Sequence, residues 1–264
     1  MKKKIAALSM AACMAASATA CGGSKPAETT AAATEAETTA AESAAEESSA
    51  EETKAAADIE TVTPGKLTVA TSPDFAPYEF YAIGEDGTPK LAGFDMDLAQ
   101  YIADYLGLEL EVVTVDFDGV ISELQTKSVD LGMAGLSPDE KRMGIMDFSD
   151  LYYMGGQSLV TVKDNAEKYN SFEAINKPDV SVGAQVGSIQ MDLANENSPE
   201  ADIVGLPKVT DIISELLTGK MDAAYIETDV AKSYQKNYPE LTLVMDVPYD
   251  AEGSAIGVCK GNEA

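Results

Sequence analysis

A single arginine, Arg142, stands in a chain of 264 residues whose other cations are all lysine. A planar guanidinium grips a carboxylate through two parallel hydrogen bonds, a task lysine does badly. Used once, it points either to that task or to a surface place at the start of a short helix. What is missing closes off other chemistry. With 0 histidines, His-based triads and His metal sites are impossible. The 3 cysteines, Cys13, Cys21 and Cys259, offer no pair for zinc or redox work. Neither a glycine-rich phosphate loop nor a dinucleotide fingerprint occurs. The 45 Asp+Glu could supply an acid–base pair, but no spacing singles one out. No catalytic residue, metal or cofactor is expected.

The elements that must carry Arg142 follow from periodicity. Residues 66–71 (KLTVAT) form a β-branched run, hence a strand. Over 94–107, Leu98, Ile102, Tyr105 and Leu106 recur at helical spacing and Gly107 ends the segment. A strand over 109–115, a helix over 119–127 and a strand over 129–134 continue the alternation. After Gly155-Gly156 the rhythm restarts: strands at 158–162 and 180–184, a helix at 189–195, then strand, helix, strand and helix over 203–206, 212–217, 223–226 and 230–238. Strands at 241–245 and 255–259 follow. Two α/β units in tandem predict two lobes, each with a largely parallel sheet, and a ligand cleft between them.

The N-terminal stretch reads differently. Met1-Lys2-Lys3-Lys4 and the small, apolar run over 5–20 predict a secretory signal peptide over 1–20. Cys21, followed by Gly22-Gly23-Ser24, resembles a bacterial lipobox, which implies lipidation of its thiol with acyl chains such as palmitate; the box usually opens with Leu where Ala18 stands. Residues 24–58 are almost entirely Ala, Glu, Thr and Ser, too poor in apolar surface to offset the entropy of ordering, so 21–58 is expected to be a lipidated cysteine on a disordered tether. The net charge of −27 repels nucleic acid, and no such partner is expected. With only Cys259 left in the body, stability must come from an apolar core.

From Gly65 onward the chain resembles the polar amino-acid binding proteins of ABC importers, solute-binding family 3. The stretches that carry the likeness are LTVATSPDFAPYEF, the GFDMDLA helix start, the FDGVISELQ segment, DFSDLYY, VSVGAQVGSIQ and MDAAYIETDVAKSY. The resemblance implies a two-lobed type 2 periplasmic-binding fold. Lobe 1 would comprise 59–155 plus 247–264, and lobe 2 would comprise 156–246. It also implies a monomer held by its lipid anchor at the extracytoplasmic face of the membrane, capturing an L-amino acid and handing it to an ABC permease and ATPase. The family continues with helices past the AIGVCKG strand, so its C-terminal helices are expected to be missing here.

Residue by residue, the likeness places Phe75 and Phe117 as an aromatic clamp on the ligand side chain. Ala134 to Arg142 matches the AGxT-x-T-x-x-R loop. In that loop the Gly135 carbonyl would accept from the ligand ammonium, while the Ser137 amide and Arg142 hold its carboxylate. Pro138 and Asp139 depart from the pattern; Asp139 either brings negative charge to the carboxylate subsite or turns away to cap the next helix. In lobe 2, Gln185 to Gln190 matches a helix N-terminus facing the cleft, where Ser188 would add a donor. Glu227 stands where the family more often has Asp, closing on the ammonium. Family members that take cations tend to place an aspartate where Ser72 stands. The expectation is therefore a neutral polar side chain, glutamine among them, met by Ser72 and the amides of Gln185 and Gln190, with weak binding of lysine and arginine. Exported prephenate-type (cyclohexadienyl) dehydratases on the same fold are the alternative, with Glu227 as general acid or base.

Overall fold

The computed structural model describes residues 59–250 and 253–262. The signal, Cys13, Cys21 and the tether to residue 58 lie outside the described residues. The described residues build two five-stranded sheets and a small three-stranded one.

The first sheet grows from β1 (Lys66–Thr71), whose last five residues are buried because helices or loops cover both its faces. It pairs in parallel with β5 (Glu109–Thr114) and β6 (Leu131–Gly132). Two antiparallel strands, β13 (Gly257–Cys259) and β7 (Met146–Phe148), complete the order β5-β1-β6-β13-β7. Helix α1 (Phe94–Leu106) buries Ala99 and Ala103 on this sheet, with Leu98 and Ile102 flanking them. Tyr105, expected on the apolar stripe, is exposed; the small alanines are what let the helix lie close. Gly107 ends α1 in the left-handed region, φ 66°, where a side chain would be strained. Helix α2 (Phe117–Gln125) packs Val120 and Leu124 against Gly132, leaving no room there for a Cβ.

The chain then enters the second sheet through β8 (Gln157–Val162), which runs antiparallel to β11 (Ala223–Glu227) and β12 (Leu241–Val247). Strands β10 (Asp202–Leu206), β9 (Ser181–Gln185) and β11 are parallel, giving the order β10-β9-β11-β8-β12. Helices α5 (Ile189–Asn197), α6 (Val209–Leu217) and α7 (Thr228–Asn237) belong to this half. Three short pieces escape the sequence pattern: β2 (Asp74–Phe75), β3 (Glu79–Ile83) and β4 (Pro89–Ala92), an antiparallel meander on the first half. Two one-turn helices, α3 (Glu140–Met143) and α4 (Phe172–Ile175), do so as well. Phe75 of β2 and Tyr78, just before β3, pack into the same apolar cluster as Val209, Ile226 and Val230 of the second half. No helix among the described residues is long and apolar enough to cross a membrane.

Candidate functional site

A cavity lies where loops from the first sheet meet β8, β9, β11 and the start of α5. Phe75, Phe117, Gly135, Ser137, Arg142, Gln185 and Glu227 all line it.

Arg142 reaches it from α3. Asp139 is the N-cap of that turn, its Oδ1 accepting from the Arg142 amide at 2.8 Å and its Oδ2 lying 3.3 Å from Nε. The departure at Asp139 thus serves as a helix cap and as the near counter-charge of the guanidinium. Arg142 is 6 % exposed. Its Nη1 donates to the Ser137 carbonyl at 2.9 Å and its Nη2 to the Gly187 carbonyl of the second half at 3.0 Å. The Phe117 ring lies beneath, its centroid 5.5 Å from the guanidinium carbon. Burial lowers the Arg142 pKa, and Asp139 and Asp192 oppose that. The donor fork therefore rests on two neutral carbonyl oxygens inside the cavity wall.

Gly135 sits at φ +57°, and a Cβ there would lie 2.8 Å from the Phe75 ring. Only glycine meets both demands. Its amide donates to Asp95 of α1 at 3.2 Å, fixing the loop from behind.

Glu227 ends β11 and caps α7, with Oε2 accepting from the Val230 amide at 2.7 Å. Oε1 accepts from the Tyr78 hydroxyl at 3.3 Å. A Cβ on Gly155 would meet that oxygen at 2.8 Å. Burial raises the Glu227 pKa, with Val230 opposing and the Asp229 charge reinforcing.

The Gln185 amide nitrogen donates to the Pro207 carbonyl at 3.0 Å and faces Asp74 Oδ2 at 3.4 Å, so its oxygen is left as the acceptor. Gln190 donates to the Gln157 side-chain oxygen at 2.8 Å, and both line the cavity.

Two expected residues stand elsewhere. A tight turn, with the Asp74 amide on the Ser72 carbonyl at 2.8 Å and the Ser72 hydroxyl on Asp74 Oδ1 at 3.0 Å, folds Ser72 into a separate groove beside Thr114, Asp116 and Lys208. Ser188 spends its hydroxyl on capping α5, donating to the Gln185 carbonyl at 2.7 Å and accepting from the Met191 amide at 3.3 Å. It is not among the lining residues. Gly155, Gln157, Ile189, Tyr249, Gly253 and Ser254 line the cavity without having been singled out from the sequence. The Gly155-Gly156 break in rhythm was the one local signal among them.

Residues 67–263 match the model of the bacterial extracellular solute-binding proteins, family 3. The arginine-binding extracellular protein ArtP of Bacillus subtilis is 35% identical over 202 residues, 75% of this chain and 76% of the relative. A cyclohexadienyl dehydratase of Pseudomonas aeruginosa is 29% identical over 180 residues, 68% of this chain and 66% of the relative. Among solved structures, an amino-acid ABC transporter substrate-binding protein from Streptococcus pneumoniae, bound to L-arginine, superposes with a TM-score of 0.71. It is 35% identical, and the match covers 75% of this chain and 82% of that one. The mixed α/β architecture is that of type 2 periplasmic-binding proteins. With the matched region spanning both sheets and the cavity between them, the chain belongs to the bacterial extracellular solute-binding proteins of family 3.

Proposed function

We propose that the cavity binds an L-amino acid by its zwitterionic end and that the loaded protein delivers it to an ABC importer. The observation that carries this is the sole arginine, buried with its fork on two neutral carbonyls, sharing a cavity with a buried carboxylate from the other sheet. A ligand carboxylate offers the fork a charge-assisted, bidentate partner that carbonyls cannot match. The ligand ammonium then goes to Glu227 and the Gly135 carbonyl, with Phe75 and Phe117 on the side chain.

The cavity is narrow, with about 10 Å³ open to the centre of a water-sized sphere. Arg142 closes one side of it through its bond to the Gly187 carbonyl of the second half, so ligand would enter as the halves separate and that contact yields. Because Arg142 and Glu227 sit on opposite halves, only a ligand with both charges links them, and it favours closure through those differential contacts.

For the side chain, Gln185 is held by its nitrogen on Pro207 and presents its oxygen as an acceptor, which favours a hydrogen-bond donor such as an amide supplies. Asp74 is turned onto the Val209 amide and away from the cavity, which supports a neutral polar ligand over a cation. Arginine is the second reading, favoured by the relatives named for it. A thermal-shift screen of the twenty amino acids decides: stabilisation of about 2.7 kcal/mol at a hundredfold excess over the dissociation constant marks the ligand. No shift with any amino acid would end the proposal. Turnover of prephenate-like acids would instead favour the dehydratase reading, to which the raised pKa of Glu227 lends a proton donor. We further propose a monomer tethered through lipid on Cys21.

A further inference from the structure

Strand β3 opens on Glu79 and α1 opens on Phe94-Asp95, and one contact brings these two starts together. Gly93, the N-cap of α1, lies so close to the turn before β3 that a Cβ there would sit 2.0 Å from the Tyr78 carbonyl oxygen. The Asp95 amide donates to that same oxygen at 2.9 Å. The carboxyl groups of Glu79 and Asp95 then come within hydrogen-bonding contact of each other, both residues 0 % exposed.

Asp95 uses Oδ2 fully: it accepts from the Gly135 amide at 3.2 Å and from the Tyr152 hydroxyl at 2.9 Å. If both groups are ionised, Asp95 Oδ1 and both Glu79 oxygens are buried acceptors with no donor. Each such orphan costs about 1–3 kcal/mol, and two carboxylates in contact in a dry site cannot both hold charge. The neighbours give no relief. From β2, the Asp74 charge acts with the same sign on Glu79; the nearby Tyr78 and Tyr152 hydroxyls are neutral; Asp97, on the first turn of α1, faces solvent. No lysine or arginine among the described residues acts on either carboxyl. A proton on Glu79, donated to Asp95 Oδ1, turns the repulsion into a hydrogen bond and leaves Oδ2 as the fixed acceptor of Gly135.

We propose that Glu79 and Asp95 share one proton at neutral pH, and that this proton holds the Gly135 loop in position for ligand. Burial pushes the Glu79 pKa well above the usual carboxylate range, reinforced by the Asp95 charge, and pushes Asp95 in the same direction. Both are positioning residues, acting on ligand through the loop. Loss of the proton at alkaline pH sets two charges side by side, displaces Asp95 and releases the Gly135 amide. The second half of the proposal rests on the amino-acid reading of the cavity; the first half stands without it.

The test is infrared spectroscopy of the full-length protein, titrated from about pH 6 to about pH 10, a range above the ordinary carboxylate pKa. The C=O stretch of a protonated carboxylic acid should be present at neutral pH, fade on alkaline titration and lose one group's intensity in Glu79→Gln, whose amide donates to Asp95 instead. Asp95→Asn is the second variant: burial still holds the proton on Glu79, so the intensity should stay while its frequency shifts, because the acceptor is now a neutral amide. A neutral-pH spectrum that Glu79→Gln does not diminish overturns the shared proton. For the loop, affinity for the amino acid giving the largest thermal shift is measured against pH in wild type and Glu79→Gln. The ligand ammonium titrates alike in both, so wild type should lose about tenfold more affinity per pH unit once the pair titrates. Parallel curves overturn the positioning role. If no amino acid binds the wild type at neutral pH, the proposed function and the positioning role fall, while the infrared band still decides the proton.

Discussion

The Tyr78 hydroxyl donates to Glu227 Oε1 at 3.3 Å, tying the turn ahead of β3 to the end of β11, 149 residues further along the chain. It links the two halves at the carboxylate proposed to receive the ligand ammonium, and it stabilises the charged form of a carboxyl that burial alone would neutralise. Tyr78→Phe should therefore weaken amino-acid binding by about tenfold, the loss of one hydrogen bond to a charged acceptor, about 1.5 kcal/mol. Calorimetry checks this; an unchanged affinity would mean that the bond is given up when ligand enters.

Gly135→Ala places a Cβ against Phe75 at a positive φ. Strain of about 1–2 kcal/mol is expected from the backbone, and the ring must move as well. Binding should be lost, with a modest fall in melting temperature, while far-ultraviolet circular dichroism keeps its native form. Wild-type affinity in the alanine variant would contradict the close fit of loop and ring.

Much of the frame was legible in the sequence because β1, β9 and β11 are short runs of small, β-branched and apolar residues that are buried along nearly their whole length. The meander β2–β4 was not legible: its strands are short, mix exposed and buried positions, and carry Pro and Lys. Among site residues, the loop around Arg142 is local in sequence and its register could be read. Gly155 and Gln157 reach the cavity through the antiparallel pairing of β8 with β11, a non-local fact with no periodic signature. Ser72 lies in the neighbouring groove because its hydroxyl turns onto Asp74, a local bond that periodicity does not reveal. The parallel expectation held for three strands of each sheet, and the antiparallel ones are those that return from elsewhere in the chain.

Stability should rise as the solution becomes mildly acidic. Glu79, Asp95, Asp74 and Glu227 all have pKa values raised, in each case chiefly by burial. In the unfolded chain these groups release their protons near the ordinary carboxylate pKa, whereas the folded protein holds them to higher pH. Across that window the folded state binds more protons, so unfolding free energy falls as pH rises. The self-repulsion of a net charge of −27 acts in the same direction. The melting temperature should be higher at about pH 5 than at about pH 8, and a curve rising toward alkaline pH would contradict burial as the dominant influence on these carboxyls.

Cys21→Ser should convert a membrane-associated protein into a released one, because stable anchoring takes two or more acyl chains acting together. Fractionation of producing cells checks this, and equal amounts of both forms in the soluble fraction would sink the lipid anchor.

Arg142 carries the central claim. Isothermal titration of wild type and Arg142→Ala with the amino acid selected by thermal shift tests it most directly. Removing one partner of a buried charge pair typically costs about 2–5 kcal/mol, so affinity should fall by roughly 30- to 5,000-fold while the melting curve remains cooperative. An unchanged dissociation constant in Arg142→Ala would contradict the assignment of this guanidinium as the holder of the ligand carboxylate.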